Sequence, residues 1–280
     1  MYNALRIAPL AVSTPKFIEG VPNPEAFLFK NKEFFVKTAI LIDGGFFIKR
    51  YRSLIGNNLP AKVAKDLHEI CLQHVSPKIS SNNNISNTLY RILFYDCAPI
   101  DKKVHNPITK RSHDFSKSPE YLFRHEFHQE LKKLRKVALR LGRLSENGGW
   151  IIKPEQTKKL LNSALDVTDL QENDVYYDIR QKGVDMKIGL DIASLSYKKL
   201  VDQIVLIAGD SDFVPAAKLA RREGIDFILD PMWNPVNLDL YEHIDGLKST
   251  CKKPVLPRLK DISQKLTDKL QSASGALIGK

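Results

Sequence analysis

Cysteine is scarce. The 280 residues hold three, Cys71, Cys97 and Cys251, odd in number and far apart. That spacing excludes a disulfide framework and a paired-cysteine metal site, and it fits a reducing, cytoplasmic setting. Long apolar runs are missing as well. No stretch approaches the roughly 20 residues of a membrane span, so no membrane partner is expected. Ala4 to Val12, interrupted by Arg6 and Pro9, is too short for a secretory leader. No side-chain nucleophile stands in a triad pattern. Acids are outnumbered, 32 against 43 Lys and Arg, for a net charge of +11. A basic balance points to nucleic acid or another polyanion.

What is present is centred on QIVLIAGDSDFVPAAKLARRE, Gln203 to Glu223. Five aliphatic residues, Ile204 to Ala208, read as a strand buried on both faces of a parallel sheet. Gly209 permits a sharp turn. Phe213, Ala216, Ala217, Leu219 and Ala220 then recur at helical spacing, with Pro215 tolerated in the first turn. In an open α/β sheet the ligand site lies beyond the carboxyl ends of the strands. Asp210 and Asp212 stand there, with Ser211 between them, though both positions also suit plain end-capping. A second apolar run, Phe35 to Ile42, ends in Asp43-Gly44-Gly45, and Val184 to Leu195 opens a helix with Asp185 near its start. Carboxylates at separate element ends repel one another unless a cation offsets them, and hard oxygen donors suit Mg²⁺ or Mn²⁺. Asp191, six residues after Asp185, points about 120° away around the helix and is expected in a supporting role behind the ligands. Asp96 ends the strand expected over Leu89 to Tyr95. It either joins the acidic set from behind or caps a turn.

Alternating strands and helices predict a three-layer α/β sandwich with a mainly parallel, Rossmann-like central sheet. Residues 1–35 read as an irregular arm, 36–250 as one domain, and 251–280 as a basic tail with a helix near Pro257 to Leu270. Residues 101–143 form a basic insertion. Twelve Lys and Arg against five acids give it +7 of the chain's +11. Its aromatic residues, interleaved with cations, suit single-stranded nucleic acid. A long helix is expected from Pro119 to Leu141, packed through Leu131, Leu134, Val137 and Leu141, with its basic face either on nucleic acid or simply solvated. Lys132, Lys133, Arg135 and Lys136 on it, Lys49 and Arg50 after the first strand, and Lys182 are the candidate phosphate contacts. Ala61 to His74 is expected to form an amphipathic helix with Val63, Leu67, Ile70 and Leu72 in the core and with His68 and His74 at the surface.

FVKTAILIDGGFF, KGVDMKIGLDIASL and VLIAGDSDFVPAAKLARREG resemble, in order and spacing, the three motifs of the NYN domain family of the PIN-like ribonuclease superfamily. The resemblance runs from about residue 36 to about residue 247. It implies a PIN-like fold with the Asp43 and Asp210 strands side by side at the centre. It also implies metal-assisted phosphodiester hydrolysis by Asp43, Asp185, Asp210 and Asp212, with single-stranded RNA the favoured substrate. One position departs from the pattern: many relatives carry Asn three residues after the first Asp, where this chain has Phe46. Two alternatives stand beside this reading. One is a catalytically silent nucleic-acid-binding scaffold of the same fold. The other is a small-molecule phosphohydrolase, which would want a second Asp where Gly45 stands. Oligomeric state is not legible.

Overall fold

A computed structural model describes residues 34–76, 85–145 and 149–254. Residues 1–33 of the expected N-terminal arm and residues 255–280 of the expected C-terminal tail, with its helix, lie outside these residues.

The strands are β1 (Phe34–Asp43), β2 (Ile85–Cys97), β3 (Lys103–His105), β4 (Ser112–Asp114), β5 (Val137–Leu144), β6 (Trp150–Ile152), β7 (Val175–Tyr177), β8 (Gln181–Lys182), β9 (Gln203–Ile207), β10 (Asp226–Asp230) and β11 (Gly246–Leu247). The helices are α1 (Gly44–Leu54), α2 (Pro60–Val75), α3 (Pro119–Lys133), α4 (Pro154–Leu161), α5 (Val184–Tyr197), α6 (Val214–Arg222) and α7 (Leu238–Tyr241). Seven strands make one sheet in the order β11-β10-β9-β1-β2-β5-β8. All neighbours are parallel except β8, which runs back along β5. The expected PIN-like order is present: β1 lies between β2 and β9, so the turns after Asp43 and Ile207 leave side by side.

Period-two alternation sends side chains of the central strands to opposite faces. Ala39, Leu41, Tyr95, Ile204 and Leu206 pack with α5 and α6. Ile40, Ile42, Phe94, Val205 and Ile207 pack with α1, α2 and α3. Two apolar layers thus sandwich the sheet between helices, as expected from the buried aliphatic runs.

Three expectations need correction. The helix expected to reach Leu141 ends at Lys133, and Val137–Leu144 is the strand β5 beside β2. The break is local: Leu134 is extended and Lys136 takes a left-handed φ of 63°, a conformation that ends a helix. His74 is buried, not exposed; its Nε2 lies 2.9 Å from Asp230 Oδ2 in a pair sealed under Thr250. Leu72, expected in the core, faces solvent.

Gly44 explains how α1 starts directly against the sheet. A Cβ there would stand 2.5 Å from the Tyr95 carbonyl and 2.7 Å from the Phe94 ring. Glycine is required by that approach, and it brings Asp43 close to the end of β2.

Candidate active site

Three element ends carry the four acids. Asp43 closes β1 and caps α1, accepting a hydrogen bond from the Phe46 amide at 3.1 Å. Asp210 follows β9 and accepts from the Asp212 amide at 3.1 Å, so Asp210 and Asp212 share one tight turn. Asp185 arrives by a different route. β8 folds back along the end of β5, with Lys182 opposite Arg143. Gly183, at φ 79°, then turns the chain into α5. The close pass is made possible by Gly142, where a Cβ would lie 2.8 Å from the Lys182 carbonyl.

These carboxylates act on one another. Burial raises the pKa of Asp43, and the charges of Asp185 and Asp96 raise it further, against amide hydrogen bonds from Phe46 and Gly45. Burial also raises Asp185, followed by the charges of Asp210 and Asp212. In a chain with eleven net positive charges, none of the four acids is paired with Lys, Arg or His among the described residues. No three His, Cys, Asp or Glu side chains among those residues surround one point closely enough to hold an ion by themselves. The donor chemistry fits a small hard cation nonetheless. Mg²⁺ keeps much of its water shell and is held by one or two carboxylates together with substrate phosphate.

A raised carboxyl pKa means that the folded state holds the proton more readily than the unfolded state. Stability from this source therefore falls as pH rises from the ordinary value of 3.8 through the raised folded values. Without divalent cation, Asp185→Asn should melt about 1–2 °C above wild type at neutral pH, on the scale of a change of roughly 0.5 kcal/mol at an exposed position. The gap should close as pH falls toward 3.8, where the wild-type carboxyl also becomes neutral. Melts across this range check it; a gap independent of pH would show that charge is not the cause.

The remaining candidates divide. Asp96 is fully buried behind Asp43, gripped by Arg124 and His128. Asp191 lies away from the acidic ends; its carboxylate takes two hydrogen bonds from Arg140 and one from the Tyr95 hydroxyl, clamping α5 to β2 and β5. Ser211 is half-buried in the Asp210 turn. Lys49 and Lys182 are exposed. Arg50 is spent on structure, donating from Nε and Nη2 to the Met232 carbonyl at 3.2 and 2.8 Å. Lys132, Lys133, Arg135 and Lys136 lie at the other end of the sheet. Lys136 Nζ bonds the Leu89 carbonyl, and Val137 stands opposite Ile92, whereas Asp43 stands opposite Tyr95. At about 3.3 Å per residue this puts the basic turn about 13 Å below the carboxylates along the strands.

Two features of the site have little sequence signal. The Phe46 ring lies on Gly209, where a Cβ would meet it at 2.4 Å, so this ring occupies the seam between the β1 and β9 exits. Gln181 reaches Gly45 from across the site: its Oε1 is 4.0 Å, and Asp43 Oδ1 3.4 Å, from the point where a Gly45 Cβ would stand.

No functionally curated protein matches the chain. A crystal structure of a protein of unknown function from Vibrio parahaemolyticus is similar at 14% identity over 78% of this chain and 94% of that one, with a TM-score of 0.40. The family model of the NYN domain matches residues 37–233, a span that contains all four acids. The chain belongs to the NYN domain family, within the PIN-like nuclease superfamily.

Proposed function

We propose that this protein is a divalent-metal-dependent nuclease that hydrolyses phosphodiester bonds of single-stranded RNA in the cytoplasm. The observation that carries the reading is the set of four aspartates at the carboxyl end of a parallel sheet, where burial and then neighbouring carboxylate charge raise the pKa of Asp43 and Asp185, and where none of the four has a cationic partner among the described residues of a basic chain. Bound there, Mg²⁺ or Mn²⁺ supplies Lewis-acid polarisation of the phosphate and a more acidic water. Asp43 and Asp210 would hold the ion with the oxygens that their amide contacts leave free, and Asp185 and Asp212 would complete the negative field. The two amide bonds fix the carboxylates before substrate arrives, so little reorganisation is needed on binding. Lys49 and Lys182, exposed at this end, would position the backbone without reading sequence. Three free, buried cysteines fit a reducing compartment.

A second reading, a scaffold that binds nucleic acid without cutting it, is favoured by the Phe46 ring lying on Gly209 in the seam between Asp43 and Asp210. Incubation with labelled single-stranded RNA separates the two. Cleavage with Mg²⁺ or Mn²⁺ and none with EDTA is the expected result. RNA bound but left intact with both metals, across several substrates, would establish the scaffold instead. Release of phosphate from small phosphomonoesters would point to the phosphohydrolase.

A further inference from the structure

A cavity of about 350 Å³ opens beyond the carboxyl ends of β2 and β5. This is in the range of small-molecule sites. Its aliphatic walls are Pro99, Ile100, Leu144 and Ile179. Two rings, Phe115 from the basic insertion and Tyr121 from the head of α3, complete it. Both rings are braced. Phe115 packs edge-on against His113 at 4.6 Å and is tilted against Tyr177 at 5.5 Å; Tyr121 stacks on His125 at 5.8 Å. The polar rim includes Gln181, whose side-chain amide has no hydrogen-bond partner among the described residues. Such an amide offers both a donor and an acceptor to one planar edge.

The cavity adjoins the acids. Gln181 lines it and also flanks Gly45 together with Asp43. Arg124, on its floor, is the residue that grips Asp96 behind Asp43. Lys102, Lys103 and Lys117 stand exposed around the insertion that closes it. A mostly apolar slot with aromatic walls, one free amide edge and cations outside, its one carboxylate, Glu120, held by Arg52 and Arg124, matches the chemistry of a base attached to a phosphate backbone.

We propose that this cavity takes one unpaired nucleobase of the bound strand, from a nucleotide next to the phosphate held at the acidic ends. A paired base cannot enter, so the cavity selects single strands and fixes the register of the scissile bond. The proposal rests on the nucleic-acid reading above and needs no cleavage for its test.

The test is a scan of one short single-stranded RNA carrying a single abasic residue at successive positions. Binding to the full chain is followed by fluorescence anisotropy in EDTA. One position should lose affinity by about tenfold or more, the scale of one base stacked on a protein ring, and the others little. Ile100→Trp, which fills the cavity, should bind the intact RNA as weakly as wild type binds that abasic RNA, and the positional penalty should vanish. Should Ile100→Trp fail to fold, Gln181→Ala, on an exposed two-residue edge strand, should shrink the penalty at that position alone. Equal effects at every position, a penalty that survives both substitutions, or no RNA binding in EDTA would each overturn the cavity assignment. The nuclease reading fails separately: a positional penalty in a protein that never cuts with Mg²⁺ or Mn²⁺ leaves the base site standing and removes the catalysis. Cleavage without any positional penalty does the reverse.

Discussion

Asp210→Asn is expected to lower metal-dependent RNA cleavage by about two orders of magnitude or more, the scale on which one aimed electrostatic group acts in a catalytic site. Folding should persist, for two reasons read from the structure. The carboxylate's structural duty is to accept one hydrogen bond from the Asp212 amide at 3.1 Å, and an Asn carbonyl can accept the same bond at a capping position. The lost charge is one that opposes Asp185, so its removal relieves repulsion. RNA affinity in EDTA should be unchanged or slightly higher, because no cationic group is touched and one negative charge near the phosphate is gone. Activity, melting temperature and RNA affinity measured on the same preparation check all three. Equal cutting by wild type and Asp210→Asn would mean that another site or a contaminant cuts. A variant that neither cuts nor binds, and melts many degrees lower, would show that Asp210 holds the fold.

The parts of this design that were legible in the sequence are those written over short distances. Ile204 to Ala208 and Ala39 to Ile42 are aliphatic because both faces of a central parallel strand are covered. An Asp directly after such a run has few places to go other than the carboxyl end. β5 was not legible. Val137–Leu144 follows a helix without Gly or Pro, and its Ala, Leu and Arg suit helix as well as strand. The switch is a left-handed Lys136, which no residue type announces. Long-range pairings were hidden for another reason. His74 meets Asp230 across 156 residues, and Arg140 meets Asp191 across 51. Periodicity places each partner on an element but does not say which other element arrives opposite. The same limit applied to the basic residues. Lys132 to Lys136 and the acids occupy opposite ends of the sheet because α3 runs antiparallel to the strands, gripping Asp96 near its head and feeding β5 at its tail.

Asp96→Ala should be the most destabilising of the substitutions considered. The carboxylate is wholly inaccessible, and its two oxygens are fully engaged. Arg124 Nη1 donates to both at 2.6 and 2.7 Å, the Cys97 amide donates to Oδ1 at 2.8 Å, and His128 Nε2 lies 2.9 Å from Oδ2. A carboxylate only accepts, so that histidine nitrogen carries its hydrogen. Removing Asp96 leaves Arg124 Nη1, on a guanidinium with 17% side-chain exposure that keeps its Nε bond to Glu120, and an imidazole with 5% exposure facing a void. Breaking a buried pair from one side costs about 3–5 kcal/mol, which lowers the melting temperature of a chain this size by about 10 °C. The cost comes from stranded partners rather than from the pair's own worth. Asp96→Leu combined with Arg124→Met and His128→Leu should therefore recover most of the loss, since an apolar replacement of a whole buried network is often neutral. α3 docks on the sheet through this grip and carries Tyr121 on its first turns. Asp96→Ala should accordingly also weaken RNA binding at temperatures well below its melting point, where Asp210→Asn does not. Thermal melts of the single and triple variants decide the matter. An Asp96→Ala protein that melts within about 2 °C of wild type would show that water or a rearranged helix satisfies Arg124 and His128, and that α3 is held by Phe127 and Leu131 alone.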